Sequence, residues 1–157
     1  MKQNNNQAAV KTAPANIGSV EIHGGFWGPI VETNRNTTIP HILDKCEEVG
    51  GFDALRESAH PGDKLNVHPF RDSDVAKSTE AAAYALHSKV DPELESRIKS
   101  IIDLFGSAQM EDGYLNSYFA HTGIEYRWTN LRDRHEMYCA GHIIEAAVAH
   151  HEATGST

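Results

Sequence analysis

Apolar positions along the chain recur with a helical period in four blocks, separated by segments without one. In 30–49 the stripe is Ile42, Cys46 and Val49, and Gly50-Gly51 ends the block. Pro40 lacks an N–H, so it kinks this helix or sits in its first turn after Thr38. In the second block Asp72-Ser73-Asp74 opens a helix whose buried side is Val75, Thr79, Ala82, Ala83 and Leu86. Asp91-Pro92-Glu93 opens the third with a cap residue, a first-turn proline and an acidic first turn. Its stripe is Leu94, Ile98, Ile101, Ile102 and Phe105. The fourth block, 135–155, carries Met137, Tyr138, Ile143, Ile144, Ala147 and Val148 on one side and stops at Gly155.

Between the blocks lie segments of other kinds. Residues 1–18 are polar and low in complexity, and read as a disordered tail. Val20-Glu21-Ile22-His23 alternates like a short strand, and the turn after it carries Phe26 and Trp27, expected to anchor on the core. Residues 52–70, with two His-Pro pairs, read as one long loop. Asp112-Gly113 is a turn signal, followed by the aromatic-rich Tyr114-Leu115-Asn116-Ser117-Tyr118-Phe119. Helices joined alternately by short and long connections imply helical hairpins, with the long loops and any site at one end.

Composition narrows the classes. With 22 acidic against 14 basic residues the net charge is −8, which argues against a nucleic-acid partner. Cys46 and Cys139 make neither a disulfide framework nor a C-x-x-C pair. No apolar run is long enough to span a membrane, and the first residues do not form a secretory signal, so the expected location is cytoplasmic.

On the fourth helix His135, Cys139 and His142 recur at offsets of four and three, a row above the small residues Ala146 and Ala149. The plain reading is structural: histidines bonded to a loop and a buried cysteine. Three zinc ligands on one straight helix aim poorly at one ion, and Cys139 breaks the H-E-x-x-H pattern that His135-Glu136 begins. Asp72, Asp74 and Glu80 are candidates for acid/base work on a sugar linkage, although Asp72 and Asp74 read first as helix caps. Glu136 and Glu145 are expected in first-turn or helix-surface contacts. Tyr114, Tyr118, Trp128 and Tyr138 suit either a carbohydrate pocket or a core.

Three ordered blocks resemble glycoside hydrolase family 127, the β-L-arabinofuranosidase family. They are Asp72-Ser73-Asp74-Val75-Ala76-Lys77 with Glu80-Ala81-Ala82-Ala83-Tyr84, then Ala108-Gln109-Met110-Glu111-Asp112-Gly113-Tyr114-Leu115-Asn116, then His135-Glu136-Met137-Tyr138-Cys139-Ala140-Gly141-His142 with Ile144-Glu145-Ala146-Ala147-Val148-Ala149. The resemblance implies an all-α fold, a partial (α/α)6 barrel of the six-hairpin glycosidase type occupying 19–157. It implies hydrolysis of terminal β-L-arabinofuranosides with retention, by a zinc-bound cysteine nucleophile and a glutamate acid/base. It places His142 in the sugar pocket, with His135, Asp72 and Asp74 as further substrate-binding candidates.

Lys77-Ser78 departs from the Lys-Trp common in the family and leaves the exact sugar open. The implied nucleophile and zinc ligands belong to a downstream cysteine-rich segment, which Cys46 and Cys139 do not match. No catalytic residue and no metal ligand is therefore assigned here, no bound zinc is expected, and the chain alone is expected to be inactive. Its partners are expected to be arabinofuranoside-containing glycans and, through apolar faces left open, other copies of itself. The alternatives are another six-hairpin glycosidase, a sugar epimerase, a non-catalytic helical carbohydrate-binding module, or a zinc protein using His135, Cys139 and His142.

Overall fold

The computed structural model describes residues 12–58 and 68–156, which form eight α-helices and no strand. These are α1 (Trp27–Thr33), α2 (Ile39–Glu48), α3 (Gly51–Ser58), α4 (Arg71–Ser88), α5 (Pro92–Ala108), α6 (Ser117–Thr122), α7 (Leu131–Arg134) and α8 (Glu136–Thr154). Residues 1–11 of the expected tail and 59–67 of the expected loop lie outside the described residues. No helix among the described residues is long and apolar enough to cross a membrane.

Pro40 neither breaks nor sharply ends its helix. A π-helical segment, Asn34–Thr38, joins α1 to α2, and the Ile39 N–H reaches back to the Asn34 carbonyl. Five-residue bonds widen the helix just where the proline ring would collide with the preceding turn and where one N–H is missing. The buried stripe of α2 is Ile39, Leu43 and Cys46, while Ile42 and Val49 are exposed. Both triplets have offsets of four and three, so periodicity alone does not choose between them.

Residues expected to be loop form α3, whose Phe52, Ala54 and Leu55 are buried. Eight residues are too few for a periodic signal to stand out. Gly51 is required at its start: a Cβ there would lie 2.9 Å from both the Cys46 carbonyl oxygen and a Val75 methyl. The expected strand at Val20–His23 is exposed chain with no ladder partner among the described residues, and a lone strand does not persist without a ladder. Phe26 and Trp27 meet each other edge to face at 5.1 Å but remain 76% and 61% exposed, so they do not anchor on the core.

The third block forms as expected, and the second buries the expected side although Phe70, not Asp72 or Asp74, precedes its first turn. The Asp91 carboxylate accepts from Leu94 N at 3.0 Å and caps α5. Leu94, Ile98, Ile101 and Phe105 are buried, as are Val75, Thr79, Ala82 and Ala83 of α4. Arg35, nearly buried, clamps the turn between these helices. It donates to Ala85 O at 2.6 Å, Lys89 O at 2.9 Å and Asp91 Oδ2 at 3.1 Å. Its fixed fork of donors satisfies the last carbonyls of α4 together with the cap of α5.

Helix α4 is central and packs on α2, α3, α5 and, most extensively, α8. The two run parallel: Cys139 lies by Pro69, Tyr138 by Lys77 and His142 by Glu80. The orientation of α8 reverses the expectation. Cys139, Ala146, Ala149 and His150 are buried, whereas Met137, Ile144 and Val148 are 60%, 63% and 48% exposed. Both helices bury small residues, with Ala76, Ala82 and Ala83 on α4, and small side chains let helix axes approach closely. The large apolar side of α8 therefore points away from α4.

Candidate functional site

Three segments converge where α4 and α8 begin. His135 holds a left-handed conformation, φ 57°, and is the residue from which α8 starts. Its ring lies edge to face with Phe70 at 5.7 Å and approaches Tyr138 at 6.0 Å. Tyr138 is perpendicular to His142 at 4.5 Å, and His68 continues the series beside Phe70 at 4.0 Å. The result is a ladder of imidazole and aromatic rings along the start of α8. Lys77 lies over the Tyr138 ring at 5.4 Å, donates to its hydroxyl at 3.3 Å and pairs with Asp74 at 3.1 Å. One turn further on, His142, Glu145 and Glu80 each bring a ligand-type atom within 4.8 Å of the others. Half-exposed flat rings flanked by charged hydrogen-bonding groups suit a polyhydroxylated ligand, which offers C–H faces to rings and hydroxyls to charges.

The four expected substrate contacts fare differently. His135 and His142 lie on this surface, with Tyr138 between them. Asp74 is exposed at its edge, bound to Lys77. Asp72 is elsewhere: 2% exposed, with one oxygen accepting from Ser117 N at 2.7 Å and the other from the Ser117 hydroxyl. It is not the cap of its own helix either, because that position is Phe70. Asp72 instead ties the first turn of α4 to the first turn of α6, next to the Asn116 cap. Burial pushes its carboxyl upward, opposed by the Ser117 bonds.

Glu136 is the residue that periodicity misplaces. Expected near the surface, it is 2% exposed. It accepts from the Tyr114 hydroxyl at 2.7 Å and from Trp128 N at 2.8 and 3.0 Å. Trp128 is held there with φ 65°, unusual for a bulky residue. Burial, then Glu136, pushes the Tyr114 phenol far above its ordinary range. These groups wall a cavity of about 460 Å³ that Arg127, Ala140, Ile143 and Ile144 also line. The hint in the sequence was the position of Glu136, first in its helix, where a carboxylate meets free N–H groups.

The cysteines do not fit a thiolate zinc centre. The Cys139 thiol sits against Pro69 O at 3.5 Å, and burial pushes it up to about 12. Cys46 lies against Ser78 Oγ at 3.5 Å and is also raised, mainly by burial. Among the described residues the group that could hold a metal ion contains no sulfur. The His135, Cys139 and His142 row is thus divided: the imidazoles face the ring ladder and the thiol faces the interior.

Residues 19–157 match the family described as β-L-arabinofuranosidase, GH127 catalytic domain. Over 98 residues the chain is 44% identical to a non-reducing end β-L-arabinofuranosidase of Bifidobacterium longum subsp. longum, covering 60% of this chain and 15% of the relative. A crystal structure of a GH127 β-L-arabinofuranosidase from Geobacillus stearothermophilus T6 superposes with a TM-score of 0.82 at 40% identity, over 86% of this chain and 22% of that one. A second GH127 β-arabinofuranosidase structure gives 0.84 at 37% identity, over 91% and 24%. Those structures have an (α/α)6 barrel catalytic domain, and the helices described above correspond to part of it. The chain spans less than a quarter of the length of each of these relatives.

Proposed function

Because the chain belongs to the GH127 β-L-arabinofuranosidase family of glycoside hydrolases, we propose that it is the N-terminal portion of a retaining hydrolase of terminal arabinofuranosides, and that the Tyr138–His142 surface contacts the sugar. The observation that carries this reading is the ring ladder at the start of α8 with Lys77 and Asp74 beside it. His142 and His135 bind sugar hydroxyls, Tyr138 supplies a face for the ring, and Asp74 orients Lys77. Asp72 acts as a positioning residue, through Ser117. In the complete enzyme zinc would supply thiolate activation at a centre outside this chain's own residues. This chain alone binds the sugar weakly and does not turn it over.

Saturation-transfer NMR with methyl β-L-arabinofuranoside tests the reading, alongside a turnover assay on a chromogenic arabinofuranoside. The expected result is sugar contact that is lost in both Tyr138→Ala and His142→Ala, with no hydrolysis. Contact unchanged in both variants overturns it, and hydrolysis by the 157-residue chain overturns the division of labour. Preference for a uronide over the arabinofuranoside would favour another six-hairpin activity.

The apolar side of α8, with Met137, Ile144 and Val148, is exposed together with Phe26 and Trp27. Large apolar surfaces of this kind mark association sites, so the isolated chain self-associates through them.

A further inference from the structure

The ring ladder leaves one cluster unexplained. Glu80 on α4 faces His142 and Glu145 on α8, and one ligand-type atom from each lies within 4.8 Å of the others. The Nδ1 atom of His142 is screened from solvent and makes no aligned hydrogen bond, although Glu145 Oε2 is only 2.9 Å away. Two carboxylates drawn to one imidazole repel each other, and that repulsion is offset by a cation, either the imidazolium itself or a metal ion. Among the described residues no lysine or arginine forms an ion pair with Glu80 or Glu145. The cation nearest in sequence, Lys77, is held one turn away by Asp74 and the Tyr138 hydroxyl.

We infer that Glu80, His142 and Glu145 form a divalent transition-metal site bridging α4 and α8, distinct in donor chemistry from any cysteine-bound zinc. One imidazole and two carboxylates make a nitrogen–oxygen donor set suited to ions from Mn²⁺ to Zn²⁺. Bonds of about 2.0–2.2 Å to a tetrahedral ion place ligand atoms roughly 3.4 Å apart. The His142–Glu145 pair is already at 2.9 Å. Glu80 closes the remainder by a side-chain rotation, since it is half-buried and has no salt bridge among the described residues to break. Three protein ligands leave at least one position for water or a ligand hydroxyl. The ion bridges two helices that are distant in sequence and balances two of the excess acidic charges.

This site rests on geometry that does not depend on the sugar reading, and its test reads the metal alone. The untagged 157-residue chain is stripped with a chelating resin and titrated with Co²⁺, following visible absorption, with Zn²⁺ added afterwards as competitor. The expected result is one Co²⁺ per chain with the intense absorption of a low-coordinate site, displaced by Zn²⁺. Glu80→Gln weakens binding about tenfold or more, the Glu80→Gln/Glu145→Gln variant abolishes it, and the control Glu152→Gln leaves it unchanged. Far-UV circular dichroism confirms that the variants keep their helices, and His142→Asn provides a second route to the same loss should a glutamate variant unfold. Unaltered cobalt affinity in folded Glu80→Gln, or no stoichiometric cobalt in the parent chain, overturns the inference. Failure of sugar binding with cobalt binding intact refutes the proposed function and leaves the metal site standing.

Discussion

Truncation of Glu136 to alanine removes the acceptor for two donors at once. The Tyr114 hydroxyl is buried, so stranding it costs about 2 kcal/mol, within the roughly 1–3 kcal/mol usual for an orphaned buried polar group. The Trp128 N–H belongs to a half-exposed residue and partly rehydrates, which places it near about 1 kcal/mol. The sum, about 3 kcal/mol, is a large share of the ~5–15 kcal/mol typical of a domain. Glu136→Gln keeps the volume and one oxygen acceptor and loses about 1 kcal/mol. Tyr114→Phe removes the hydroxyl together with its need for a partner. In the Glu136→Ala/Tyr114→Phe double variant the losses are therefore less than additive by at least about 2 kcal/mol, the cost of the stranded hydroxyl. Urea unfolding followed by far-UV circular dichroism, at the lowest usable protein concentration, measures all four species. A loss below about 1 kcal/mol in Glu136→Ala, or strict additivity in the double variant, would refute the assignment of Glu136 as the acceptor that organises this corner.

Arg35→Ala removes the guanidinium donors from the Asp91 carboxylate and two chain carbonyls, of which Asp91 keeps Leu94 N and Ala85 O keeps the Ser88 hydroxyl, and destabilises by about 2 kcal/mol. Arg35→Lys recovers little, because an ammonium cannot reproduce the fork; thermal melts of both variants check this. His150 is lowered from its ordinary 6.5, mainly by burial, against the opposing pull of Glu95 and Asp103. The unfolded chain takes up a proton there before the folded one does, so this contribution to stability is present above 6.5 and is lost as pH falls below it. Urea midpoints between pH 7 and 5 therefore decline more steeply in the parent than in His150→Gln. Sedimentation velocity detects association that grows with concentration and is reduced in Met137→Glu/Ile144→Glu; a monomer at all concentrations would refute the open apolar face.

Where a helix carried a cap and one unambiguous stripe, its buried side was legible beforehand. In α5, Asp91, Pro92 and the leucine–isoleucine series leave a single solution. In α8 two stripes compete, one large and apolar and one small and polar, and elementary hydrophobicity selects the wrong one. The chain buries the alanine and cysteine row because close contact with α4 needs small side chains, and that preference belongs to the partner helix. The candidate site divides in the same way. The offset from His135 to His142 placed both histidines on one surface. The fate of Asp72 depended on Ser117, and that of Glu136 on Tyr114 and Trp128, partners that no local period reveals.

The parallel pairing of α4 with α8 also governs the order of events in folding. The α4–α5 turn joins helices separated by only a few residues, so that hairpin is entropically inexpensive to assemble, and the Arg35 clamp reaches it from a segment distant in sequence. Docking of α8 must wait for the whole stretch from Ser88 to Glu136 to be gathered in, because its most extensive helix packing is with α4. Such long-range contacts slow folding more than local ones do. During that interval α8 presents both its small-residue row and its large apolar side to other chains. The late-arriving helix is therefore the element most exposed to misassembly, and it is also the one that carries Tyr138 and His142.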